Sequence, residues 1–105
     1  MLSEAIEEIH RGYQMAEDRR QAELRRRAGV RQVDSFLLQV ENLIEGRHPA
    51  IPESLMDEIM HFVRPLSRKL HRVLSRNITR DPVRVLDVLF DAHELLRARQ
   101  PKLAA

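Results

Sequence analysis

A chain of 105 residues with 43% apolar and 32% charged residues is rich enough in carbon for one ordered, helix-rich domain and too apolar for a disordered one. The absence of cysteine excludes disulfides and thiolate metal sites, and three glycines with five prolines clustered at expected element ends argue against a turn-rich sheet protein. The net charge is only +2, yet all but two of the eighteen basic residues are arginines, a bias that codon usage and phosphate binding both produce.

The N-terminal stretch MLSEAIEEIHRGY has neither the basic region nor the apolar region of a signal peptide, and no apolar run approaches the ~20 residues that span a bilayer. A cytoplasmic chain without a membrane partner is the expectation.

The first element expected is one long helix over 3–45. Leu2, Ile6, Ile9, Tyr13 and Ala16 form a stripe at helical spacing, and Val30, Val33, Leu37, Val40 and Ile44 form another. Ser3 is a fair N-cap, Glu4, Glu7 and Glu8 suit the positive end of the dipole, and Gly46 with Arg47, His48 and Pro49 is the stop. Between the stripes, residues 17–29 are nearly all polar. A break at Gly29, with Arg25, Arg26 and Arg27 in the last turn of a first helix, competes with a continuous rod. The second stripe resumes two heptads after Ala16 and no clean N-cap follows Gly29, so the rod, with any bend at Gly29, is favoured.

A second helix over 53–75 follows, with Leu55, Met56, Ile59, Met60, Phe62, Val63, Leu66, Leu70, Val73 and Leu74 as its apolar face. Pro65 lies inside that pattern and should kink the helix or split it into 53–63 and 65–75. SRNIT, residues 75–79, reads as a turn. Asp81 as cap and Pro82 at the first helical position start a third helix over 82–99, with Leu86, Leu89, Phe90, His93 and Leu96 as its buried face. The fold class expected is all-α: one long N-terminal helix and two shorter ones in an antiparallel helical bundle, completed by oligomerisation.

The reason to expect a second copy is length. A helix of about 44 residues is ~66 Å long, twice the reach of a second helix of about 22. Folded back, the second helix covers only the Val30–Ile44 half and leaves Leu2, Ile6, Ile9 and Tyr13 as an oligomer interface, in the simplest case a homodimer. The competing arrangement folds residues 3–27 back and closes a monomeric four-helix bundle.

One charge pattern stands out. Arg64, Arg68, Arg72, Arg76, Arg80 and Arg84 recur at every fourth position. The first three stack along one helix side, where like charges repel. In a straight hairpin facing positions sum to about 98, which sets Arg72 opposite Arg25–Arg27. Arg25, Arg26, Arg27, Arg64, Arg68, Arg72, Arg76 and Arg80 would then form one basic patch for an acidic protein partner or a nucleic-acid backbone. The competing account pairs the row internally with Asp87, Asp91 and Glu94. No groove-reading motif and no aromatics interleave with the arginines, so nucleic-acid binding would be nonspecific and salt-dependent.

Catalytic signals are absent. Ser54, Ser67 and Ser75 have no persuasive histidine–acid partners, no glycine-rich phosphate loop exists, and neither an enzyme nor a cofactor is expected. Two Glu-x-x-His pairs, Glu7 with His10 and Glu58 with His61, have the spacing used in carboxylate-bridged di-iron bundles. Antiparallel packing would bring His93 near His61, which makes Glu58, His61 and His93 the alternative, metal-binding reading.

Overall fold

The computed structural model describes residues 2–98, and the side chains of residue 9 and of residues 11–98. It is all-α: α1 spans Leu2–Glu45, α2 Glu53–Leu66, α3 Arg68–Arg76 and α4 Pro82–Ala98. No helix among the described residues is long and apolar enough to cross a membrane.

α1 runs unbroken through Gly29. A Cβ at Gly29 would lie 3.3 Å from Leu96 Cδ2, so the glycine serves close packing of α1 on α4, not termination. The polar stretch stays helical because it is built of good helix formers tied by i,i+3 and i,i+4 contacts: Arg20 to Glu17, Gln21 to Glu17 and Arg27 to Glu23. It extends a helix that the bundle has already nucleated, so each added residue meets only the cost of propagation.

The stop differs from the expectation in one detail. The left-handed residue is Arg47, with φ 58°, and not Gly46. Arg47 N–H donates to the Ile44 carbonyl and His48 N–H to the Leu43 carbonyl, both at 3.0 Å, the bonding of a Schellman ending. Gly46 meets a different demand, since a Cβ there would lie 3.0 Å from the His48 ring. A side chain at positive φ costs about 1–2 kcal/mol. Arg47→Gly is therefore expected to raise stability by about 1 kcal/mol, read as a shifted urea midpoint at unchanged slope.

The expected second helix is two helices, and the break falls at Ser67, two residues beyond Pro65. Pro65 fits inside the last turn of α2, where its missing donor costs one bond. Ser67 is the residue able to do both jobs at a junction. It takes extended backbone angles, its N–H still bonds the Val63 carbonyl at 2.9 Å, and its Oγ accepts from Leu70 N–H at 3.2 Å to cap α3.

The core joins Val33, Phe36 and Val40 of α1, Ile51 of the first loop, Met56, Ile59 and Val63 of α2, Leu70 and Leu74 of α3, and Val85, Val88, Leu89, Ala92 and Leu96 of α4. Phe36 and Phe62 meet edge to face, centroids 5.7 Å apart, in the register expected for the first hairpin. The principal partner of α1 is nevertheless α4, which runs antiparallel to it with Leu96 on Gly29 and His93 beside Asp34. Phe90, expected in the core, is 48% exposed. The buried stripe of α4 lies one position round the helix, along Val85, Leu89, Ala92 and Leu96.

Both connecting loops meet at one end of the bundle, where Ile51 N–H donates to the Arg80 carbonyl at 2.9 Å. Asn77, buried, closes the second loop. Its Oδ1 accepts from Asp81 N–H at 3.1 Å, and its Nδ2 donates to the Asp81 carbonyl at 3.2 Å. Asp81 then caps α4 through Oδ1 and Val83 N–H.

The molecule measures 68 × 23 × 22 Å. α1, ~66 Å at 1.5 Å per residue, therefore sets its whole length. The described side chains from Ile9 to Ala22 are all exposed, and the first buried one is Val33. The N-terminal half of α1 is an arm that stands clear of the core.

Candidate functional site

Two surfaces carry the features singled out in the sequence: the arginine row, and the arm. Arg64 lies in the last turn of α2, Arg68 opens α3, and Arg72 and Arg76 follow along it. All four are exposed. Among the described residues none of them makes a hydrogen bond or an ion pair. Asp87, Asp91 and Glu94 on α4 are equally exposed and, among the described residues, equally unpaired, so the internal pairing weighed in the sequence does not form.

The helix break sharpens the charge. α3 begins with Arg68 and Lys69 and has no acidic residue in its first turn, so two cations sit at the positive end of its dipole. An open depression of about 610 Å³ at this junction is lined by His61, Arg64, Pro65, Leu66, Ser67 and Arg68. Three of those six side chains are basic and none is acidic.

Arg80 departs from the row. It is half-buried in the loop at φ 52°, and its Nε is buried without a partner among the described residues. Arg84 leans 4.0 Å from Asp81.

The second basic cluster shares one carboxylate among its three arginines. Arg26 binds Glu23 through Nε at 2.9 Å and Nη2 at 2.6 Å, and Arg27 Nε reaches the same carboxylate at 3.1 Å. The hydrogen bonds from Arg26 hold the Glu23 carboxyl down at about 2, against a partial desolvation that pushes the other way, with Arg27 adding to the depression. The same contact raises the Arg26 guanidinium above its ordinary value. Arg25 is left exposed, with no partner among the described residues. α3 packs against α2 and α4.

On the arm, Ile9 is 60% and Tyr13 74% exposed. The side chains of Leu2 and Ile6 lie outside those described. Leu24 and Leu38 are exposed as well. At ~100° per residue Ile9, Tyr13, Leu24 and Leu38 share one side of α1, while Val33, Phe36 and Val40 share roughly the opposite side. The heptad count had placed both stripes on one face, but a straight helix drifts ~20° per heptad, and over four heptads the faces separate. Leu38, missed in the sequence, joins the exposed side once that drift is counted.

The metal candidates do not converge. Glu58 and His61 are exposed, and His93 Nε2 lies 3.5 Å from Asp34 Oδ1. Among the described residues no group of three or more His, Asp or Glu is placed to hold an ion.

No protein-family model, curated protein or solved structure matches this chain.

Proposed function

We propose that this chain is a small non-enzymatic adaptor or regulatory protein. It self-associates through the arm of α1 and uses the arginine face of α2 and α3 to dock an acidic protein or a nucleic-acid backbone. One observation carries the docking half: among the described residues Arg64, Arg68, Arg72 and Arg76 stand exposed with no partner, although three carboxylates on α4 are free. Each like-charge neighbour costs about 0.2–0.5 kcal/mol, and cations at a helix N-terminus add to that. An anionic partner offsets both costs. The features offered are faces, and an enzyme needs a pocket with convergent polar groups.

Self-association follows from the apolar surface of the arm. Covering a side chain such as Ile9 gains about 1.5–3 kcal/mol, and a few of these per copy must exceed an association cost of about 4–15 kcal/mol. A dissociation constant on the order of micromolar fits that balance.

The test of the docking half is the double charge reversal Arg68→Glu/Arg72→Glu. It is expected to lose at least about tenfold in captured material when the tagged protein is drawn through native lysate at low salt, with an unchanged thermal melt. Nuclease treatment separates a nucleic-acid backbone from an acidic protein, and a steep loss with salt marks the former. Capture equal to wild type would mean that the arginine face is not the docking surface.

A further inference from the structure

We infer that the depression where α2 meets α3 seats one apolar side chain of a short acidic protein segment, with the carboxylates on either side of it against the neighbouring arginines. This rests on the docking half of the function proposed above and, of the two partners named there, chooses the protein.

The helix break makes the depression. A helix continuing through residue 67 would keep its surface closed by side chains at every turn, whereas the extended backbone of Ser67, at φ −158° and ψ 116°, parts α2 from α3. The gap is held from both sides: Ser67 N–H bonds the Val63 carbonyl of α2, and Ser67 Oγ accepts from Leu70 N–H of α3. A partner therefore meets a surface already formed, and the cost of ordering it is small. Half-buried Leu66 and exposed Pro65 give the depression its carbon surface, and exposed His61, Arg64 and Arg68 line it beside them. Its volume of about 610 Å³ leaves room for an apolar side chain and the backbone that carries it. Apolar carbon bordered by arginine is the composition of a protein-docking surface.

A nucleic-acid backbone uses this surface poorly. It has no side group except a base to fill the depression, and no aromatic ring among the lining residues stacks a base. α4 packs against α3 and presents Asp87, Asp91 and Glu94, exposed and, among the described residues, without a cation. A duplex carries one negative charge per ~1.7 Å, so one laid across α3 meets those carboxylates as well as the arginines. A short peptide segment confines its charge to the basic face. α3, with nine residues, is ~14 Å long, which an extended segment of about four residues spans.

Fluorescence anisotropy with three labelled probes at physiological salt tests this: a peptide with one leucine between two runs of aspartate, the same peptide with glycine in place of the leucine, and a short DNA duplex. The leucine peptide is expected to bind about tenfold more tightly than the glycine peptide, the gain from covering one leucine side chain, and more tightly than the duplex. Arg64→Glu, at the depression, should weaken the leucine peptide by at least about tenfold with an unchanged thermal melt. Arg25→Glu, an exposed charge on α1 outside the depression, should weaken it less than about twofold, since salt screens a distant charge. Equal binding of the two peptides overturns the seat for an apolar side chain, and equal losses at Arg64 and Arg25 overturn its location. A duplex bound more tightly than the leucine peptide overturns the choice of partner while the docking face stands. No binding by any of the three overturns this inference and the docking face beneath it.

Discussion

Replacing Leu89 with alanine is expected to destabilise the fold by about 2–5 kcal/mol, the range for deleting a fully buried leucine side chain. Leu89 is completely buried in a core that holds, among the described residues, only fourteen buried apolar side chains. Small domains have a total stability of about 5–15 kcal/mol, so this one change removes a large share of it. Thermal unfolding followed by circular dichroism should show a midpoint lower by at least about 10 °C. Leu95→Ala, less than two turns away on the partly exposed side of the same helix, should shift it far less. Equal effects at the two positions would mean that the core does not close around Leu89 as described.

Asn77→Ala is expected to cost about 1–3 kcal/mol, out of proportion to the few atoms removed. The amide of Asn77 satisfies both the N–H and the carbonyl of Asp81, and so holds the residue that caps α4. Alanine leaves the Asp81 N–H without its partner in a part-buried loop, while the Asp81 carbonyl keeps only its bond from Val85 N–H, and releases the end of the bundle where Ile51 bonds Arg80. The neighbouring Ile78, 88% exposed, is the control, and Ile78→Ala should be near neutral in the same denaturant titration. A loss at Ile78 equal to that at Asn77 would assign the effect to the loop's apolar surface instead of its hydrogen bonds.

The elements with punctuation were readable from residues alone. Asp81–Pro82 starts α4 where the capping rules place it, and the expected hairpin register is the one in which Phe36 meets Phe62. What escaped was decided by geometry that residue types share. Pro65 announces a disruption but not its place, because the break goes to the residue that can end one helix and cap the next, and that is Ser67. Phe90 and Leu89 are adjacent and both apolar, and only the packing of α4 on α1 decides which faces inward. Glu23 could bind Arg19, Arg20, Arg26 or Arg27 by spacing, and its choice of the last two offsets one of the three charges of the first arginine run. The exposure of the second run could not be read from residues at all, since free carboxylates on α4 had equal claim on it.

The arm has a consequence for how this chain can vary. No described side chain between Ile9 and Ala22 is buried, so a substitution at Tyr13 leaves the unfolding equilibrium of the bundle almost untouched. On the self-association proposed above, it would alter instead the concentration at which copies meet, a quantity set by mass action. Under that proposal, cohesion within a subunit and sociability between subunits would be written in separate stretches of one helix, each open to change without disturbing the other.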